Sequence, residues 1–277
     1  MDDMGIDVVL LGYGAIGRAV HRMLAPHAQD VRVLGVLDRA ALEGRAGATR
    51  VAGPDGHFVP VLDLETATER ADVIVECASP AAVRTYGPGI LGAGTDLLVA
   101  SLGALVDDRL RATLLEEGPG RCHLSTGAIG GLDLIRASAG TIERIALGTR
   151  KAPAALLHPG LADELRESIA AAGAAGVPRH VFGGSVADAV RHFPSNINVA
   201  AALGLAAGDM GLVRVDIFAD PGATMTSHVI EMRGHGGNYR FAIENFPDPA
   251  NPATSVLTAR SMVSGLLRLG GRGPHFI

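Results

Sequence analysis

The stretch Ile6-Asp7-Val8-Val9-Leu10-Leu11-Gly12-Tyr13-Gly14-Ala15-Ile16-Gly17 decides how the rest of the chain is read. An apolar run with the character of a buried strand passes into G-x-G-x-x-G and then into a helix-like stretch, Ala15 to Leu24. In that order each glycine has its own task. Gly12 turns the chain off the strand, Gly14 lets the backbone approach a pyrophosphate, and Gly17 lets helix and strand pack closely. The helix amino end, with Ala15 and Ile16, then presents N–H groups and a positive dipole end to phosphates. With 37 glycines in the chain, such a match needs support from its neighbours. Val31-Arg32-Val33-Leu34-Gly35-Val36-Leu37-Asp38 supplies it: a second apolar strand ending in an acid, where a carboxylate would meet the adenosine ribose. The competing role for Asp38 is to cap the next helix. Arg39 beside it could accept a 2′-phosphate, so NAD is the first choice of cofactor and NADP is tolerated.

Composition narrows the remaining classes. The chain has 277 residues, 48% hydrophobic and 19% charged, as expected of a folded protein with one large domain or two modest ones. A net charge of −5 without a basic cluster argues against nucleic acid as a partner. Met1-Asp2-Asp3-Met4 lacks the basic start of a signal peptide, and no apolar run has spanning length, so no membrane is expected and the location expected is cytoplasmic. Cys77 and Cys122 lie in apolar runs and read as core residues, and no metal site is expected. Of the 24 basic residues 23 are arginine, and Lys151 is the only lysine. A compact ammonium does chemistry that a guanidinium cannot, although chance explains the count equally well.

The first half alternates strand and helix, which predicts an α/β, Rossmann-type doubly wound parallel sheet. A possible strand spans Phe58 to Leu62, a short helix Asp63 to Glu69, and a buried strand Ala71 to Ala78. Ser79-Pro80 then starts a helix running to about Leu91. Ligands of such sheets sit beyond the carboxyl ends of the strands, so Cys77, Ala78 and Ser79 are expected to line the nicotinamide side. A strand begins at Leu97, a helix spans Asp107 to Glu117, and another strand from His123 passes into a small-residue loop, Gly127-Ala128-Ile129-Gly130-Gly131, before a helix from Asp133 to Ala139. Beyond Thr141 the pattern changes. Strands are predicted over Ile142–Thr149, Val213–Ala219, Ser227–Met232 and Tyr239–Asn245, with helices over Ala162–Ala172, Val186–Arg191 and Val199–Ala207. Short turns between the late strands point to a second, α+β domain with a mixed or antiparallel sheet. An amphipathic helix, Ser255 to Leu269, is expected to return to the first domain. The expected boundaries are 1–125 with 252–277 for the dinucleotide-binding domain and 126–251 for the substrate domain.

A hydride-transfer enzyme leaves the redox chemistry to its cofactor and must itself manage a proton near the reacting carbon. Ten histidines are available. His21 and His27 fall on or after the fingerprint helix, while His158, His180 and His275 sit in polar or terminal segments and are expected to be exposed. His192 and His228 stand beside polar groups in the second domain and remain as candidates.

Several stretches taken together resemble the L-aspartate dehydrogenases. They are Gly12 to Gly17, Glu76-Cys77-Ala78-Ser79-Pro80, Ser125 to Asp133, Phe193-Pro194-Ser195-Asn196-Ile197-Asn198-Val199-Ala200-Ala201, Ala219-Asp220-Pro221, His228-Val229-Ile230-Glu231 and Asn251-Pro252-Ala253-Thr254-Ser255. The Gly127–Asp133 and Phe193–Ala201 blocks are the specific ones. The resemblance implies NAD(P)-dependent oxidative deamination of L-aspartate to iminosuccinate, then oxaloacetate and ammonia, or the reverse amination, and a homodimer. It implies His228 as the catalytic histidine and Ala128 and Asn198 as cofactor contacts; Asn196, in the same block, is a candidate for the substrate site. Asn196 or Asn198 could instead cap the following helix. Two departures stand out. Thr149-Arg150-Lys151-Ala152-Pro153 keeps the family's lysine but loses a proline, and Ala253 replaces a family lysine. A dicarboxylate substrate calls for cationic donors, and Lys151 is the leading candidate for one. The loss at Ala253 leaves another small amino acid as an alternative substrate. A catalytically silent NAD(P)-binding regulator is the alternative from a different class.

Overall fold

The computed structural model describes residues 5–43, 49–54, 56–194, 197–248 and 251–272, so Asn196 and His275 lie outside the described residues. The chain forms two compact units, 1–127 with 258–277, and 128–257. In the first, β1 (Ile6–Leu11), α1 (Ala15–Leu24), β2 (Val31–Leu37) and the short α2 (Arg39–Leu42) are followed by β3 (Arg50–Ala52) and β4 (Phe58–Pro60). Then come α3 (Leu64–Arg70), β5 (Val73–Glu76), α4 (Pro80–Gly92), β6 (Asp96–Val99), α5 (Asp108–Glu116) and β7 (Cys122–Leu124). Five strands make one sheet in the order β2-β1-β5-β6-β7, with every pair parallel. The order reverses beside β1, which makes the end of β1 the switch point at which such folds bind nucleotides. The helices start where the sequence supplies caps: Asp63, Ser79 and Asp107 accept from the N–H of Thr66, Ala82 and Leu110. The C-terminal helix, Val256–Leu269, places Ala259, Met262, Val263 and Leu266 in the same core as Val8, Leu10 and Val20.

The second unit contains α6 (Leu132–Ala137), β8 (Ile142–Lys151), α7 (Asp163–Ala175), β9 (Arg179–Ser185), α8 (Val186–His192) and α9 (Asn198–Ala207). It continues with β10 (Val213–Ala219), β11 (Thr226–Gly234), β12 (Gly237–Asn245), β13 (Pro247–Asp248) and β14 (Asn251–Ser255). Its main sheet runs β12-β11-β8-β10-β9 and is mixed: β8 and β10 are parallel, the other neighbours antiparallel. The short α2, β3, β13 and β14 have no counterpart in the sequence reading, and β9, β8 and the burial of Cys122 also differ from it. Strand β9 was not expected, because an edge strand with Gly183 and Gly184 and half of its residues exposed shows no apolar alternation. Strand β8 continues two residues past Thr149, to Lys151. Cys122, expected in the core, is only half-buried because β7 is the edge of its sheet, whereas Cys77 is buried.

Glu76, the last residue of β5, is fully buried. Its carboxylate accepts from the N–H of Ala78 at 2.8 Å, from those of Ala100 and Ser101 at 3.1 and 2.9 Å, and from the Ser101 hydroxyl at 2.9 Å. Burial raises its pKa, and the four donors oppose that rise. This one side chain ties together the loops that leave β5 and β6. Glu76→Ala leaves those buried donors unmatched and is expected to lower unfolding stability by about 3 kcal/mol, read from denaturant curves; a loss below about 1 kcal/mol would contradict the clamp.

Candidate functional site

The first unit presents a cradle at the end of β1. Gly12 has φ +94°, and a Cβ there would lie 2.7 Å from the Cβ of Ala78, at the end of β5. A Cβ on Gly17 would run into the Gly12 carbonyl oxygen, so helix α1 packs against the turn only without a side chain there. Gly14 is exposed, with open space where a side chain would be, and no side chain caps α1. Open backbone at a helix amino end, beside the half-buried Ala15 and Ile16, suits a pyrophosphate. Asp38 follows β2 and is half-buried, with the exposed Arg39 next to it. Ala78 is exposed above Gly12, while the Ser79 hydroxyl is used as the cap of α4. These residues fit a dinucleotide.

The second unit gathers polar groups on the buried face of its sheet. Ile145, Leu147, Thr149 and Lys151 alternate inward along β8. Thr149 pairs with Ile217 of β10 on one side and with His228 of β11 on the other. Thr149 Oγ1 and His228 Nδ1 share a hydrogen bond of 3.0 Å. That leaves Nε2 as the ring nitrogen available to a ligand. Thr149, Lys151 and His228 are only 3%, 6% and 4% exposed, in rows that elsewhere carry apolar side chains.

Burial, with the nearby Lys151 charge as the second cause, lowers the His228 imidazole from its usual 6.5 to about 3. Burial alone lowers Lys151 from 10.5 to about 8. The ring is therefore uncharged while the lysine titrates, which explains why the lysine is not in turn shifted by the histidine.

Other candidates separate from this row. Asn198 is the first residue of α9; the capping position is Ile197, which offers no side-chain bond, so Asn198 is not the cap. Ala128 is buried and its carbonyl accepts from Asn245 Nδ2 at 2.8 Å. Gly131, with φ +82°, lies over the ring of Phe241. Asn245 and Phe241, both on β12, thus hold the small-residue loop. His192 is not in the row; its carbonyl bonds to His158 Nε2 at 2.8 Å, so His158 is half-buried and not exposed as expected. His180 is exposed and bonds to Asp216. The sequence reading missed Thr149, Glu76 and Asn245 as contributors. Only Thr149 carried a legible signal, two residues from Lys151 on one strand. Among the described residues no cluster of His, Cys, Asp or Glu could hold a metal, and no helix is long and apolar enough to cross a membrane.

These shifts carry a stability consequence. Between pH about 8 and 10.5 the unfolded chain keeps a proton that folded Lys151 releases, so folding is penalised below about 8 and the penalty fades as pH rises. His228 acts at the acid end: the unfolded ring binds a proton below about 6.5 that the folded ring refuses until about 3, so stability falls through that window. Lys151→Met is expected to raise stability at neutral pH by about 3 kcal/mol, a gain that shrinks as the pH is taken from 8 to 10. A gain that is absent or independent of pH in denaturant unfolding would contradict the desolvated lysine.

Each half of the chain matches known proteins. Residues 12–120 match the profile described as homoserine dehydrogenase, NAD binding domain, and residues 133–269 match that described as aspartate dehydrogenase, C-terminal. L-aspartate dehydrogenase 2 of Bordetella bronchiseptica is 36% identical over 271 residues, spanning 94% of this chain and 96% of that protein. L-aspartate dehydrogenase of Methanopyrus kandleri is 36% identical over 268 residues, spanning 95% and 96%. The crystal structure of aspartate dehydrogenase from Thermotoga maritima has a TM-score of 0.74 at 28% identity, covering 98% of this chain and 99% of that one. An archaeal homoserine dehydrogenase in complex with NADPH, with a TM-score of 0.57 at 12% identity, shares the fold alone. With a nicotinamide-dinucleotide domain in front and relatives matching along nearly its whole length, the chain belongs to the L-aspartate dehydrogenase family.

Proposed function

We propose that the protein oxidises L-aspartate with a nicotinamide dinucleotide, giving iminosuccinate that hydrolyses to oxaloacetate and ammonia, and that it runs the reverse amination when ammonia is abundant. The observation that carries this reading is the buried row Thr149, Lys151 and His228, polar chemistry placed on a rigid sheet in a unit whose relatives bear the aspartate dehydrogenase name. The bound cofactor supplies a hydride acceptor at its nicotinamide ring. Gly12, Gly14, Ala15, Ile16 and Gly17 hold its pyrophosphate, Asp38 its adenosine ribose, and Ala78, Ser79, Ala128 and Asn198 its remaining length. His228 is the catalytic histidine, presenting Nε2 to the substrate nitrogen from a strand that holds the ring rigidly. Lys151 contacts the substrate from the next inward position along β8, and Asn196 completes the substrate site. The first unit is the dinucleotide-binding domain and the second the substrate domain.

NAD is the preferred cofactor, because a carboxylate at Asp38 favours a free 2′-hydroxyl and repels a 2′-phosphate; Arg39 beside it leaves NADP usable. The enzyme is a homodimer of the kind the family resemblance implies. Cys77 and Cys122 are free thiols, which suits a reducing compartment, and we place the enzyme in the cytoplasm.

Purified protein with L-aspartate and NAD at alkaline pH is expected to produce reduced nicotinamide absorbance, with slower turnover on NADP and on a panel of other amino acids. Another amino acid preferred over aspartate would give the departure at Ala253 its meaning, and no turnover in either direction with either cofactor would sink the reading. His228→Ala is expected to lower kcat by about 100-fold or more with cofactor binding intact by fluorescence titration. Equal loss of cofactor binding would make His228 structural.

A further inference from the structure

Aspartate oxidation releases a proton that needs a carrier. The substrate's α-ammonium first gives up one proton to become a neutral amine. The Cα–H bond then breaks with its electron pair passing to the oxidised nicotinamide, and the nitrogen lone pair closes the C=N bond of the iminium. His228 is better suited to orient the substrate nitrogen than to take its proton: the Thr149 bond at Nδ1 fixes the ring and directs Nε2 outward, and desolvation makes the ring a weak base.

We propose that Lys151, as a neutral amine, accepts the substrate's ammonium proton on Nζ, while His228, oriented by Thr149, hydrogen-bonds the same substrate nitrogen. The proposal rests on the aspartate reading and deepens it.

The placement follows from strand register. Thr149 stands opposite His228, and Lys151 is the next inward residue on β8, which makes it the diagonal neighbour of His228. Such diagonal positions lie about 7–8 Å apart, within reach of long side chains. Lys151 is buried, and among the described residues the elements with most contacts to the end of β8 bring few charged groups. Its partner on β10 is Ala219. Helix α9 and the turn Met210–Leu212, which pack on β8, contain no ionisable residue. The Asp220 carboxylate, just past β10, is engaged by Arg150 and by the Gly222 N–H, and Arg150 itself is on the exposed face. His228 on β11 is a titratable neighbour. Residue choice agrees with this. A clamp for a carboxylate needs a permanent cation, and the chain uses arginine at each of its other 23 basic positions. Only lysine can lose its proton within the working range. Burial brings it to about 8, close to where a base must titrate to take a proton from an amino acid.

That singularity makes the test clean. Lysine labelled with carbon-13 at Cε gives one resonance, and its pH titration in the full-length protein is expected to have a midpoint near 8. The kcat for aspartate oxidation is expected to rise with pH over the same range. Lys151→Arg keeps the charge and cannot act as a base, so kcat should fall by about 100-fold or more while KM and NAD binding change far less. Methylamine should restore part of the rate to Lys151→Ala. A Lys151→Arg enzyme that keeps kcat within about tenfold, or a resonance that titrates at its ordinary value, would overturn the proposal and leave Lys151 as a charge clamp. A parent enzyme without aspartate turnover would instead overturn the aspartate reading, whatever the resonance does.

Discussion

Desolvation of a few polar groups on one sheet face is the constraint on which the second unit depends. Strands β8, β10 and β11 send Leu147, Val215, Ile217 and Ile230 into a dry core, and the same face then carries Thr149, Lys151 and His228. Apolar residues there would be more stable, since a buried ammonium and a buried imidazole both resist the charge that water would let them carry. The sheet tolerates them because β8 is paired on both sides where they stand, to β10 from Ile145 to Lys151 and to β11 as far as Arg150. Rigidity and altered basicity come from one cause. A side chain that cannot be solvated is also one that cannot wander, and both properties suit a group that must meet a reacting nitrogen.

The first unit works on a different principle, close backbone approach. Gly12 passes beneath Ala78, Gly17 passes beneath the Gly12 carbonyl, and Gly14 leaves open space at the helix end. Beneath these contacts Glu76 holds the departures of β5 and β6 with four hydrogen bonds. A carboxylate without solvent is costly, and this one is retained where two ligand-facing loops must keep a fixed spacing. The dinucleotide cradle is therefore built from missing side chains above and one buried, hydrogen-bonded carboxyl group below.

Much of this was legible in the residues. The period-two and near-continuous apolar runs marked β1, β2, β5, β10, β11 and β12, and Asp63, Ser79 and Asp107 announced the helices they cap. The mixed sheet followed from closely spaced late strands. What escaped was non-local. Strand β9 has no alternation of its own and exists because β10 offers it an edge. The pairing of Thr149 with His228 spans 79 residues of sequence, and that of Asn245 with the Ala128 carbonyl spans 117. Neither partner's spacing records such a bond. The half-burial of His158 depends on the His192 carbonyl in the same way. Lys151 was conspicuous as the single lysine, but its lowered basicity comes from burial, which composition does not encode.

The proposed reaction turns on where the hydride originates. L-aspartate deuterated at C2, turned over with NAD and the full-length protein, tests this most directly through mass spectrometry of the reduced nicotinamide. One deuterium per reduced nicotinamide, with a slower rate than for the protiated substrate, is the predicted result. Reduced nicotinamide without deuterium, or deuterium lost to solvent, would contradict direct transfer from the aspartate carbon and with it the role assigned to this site.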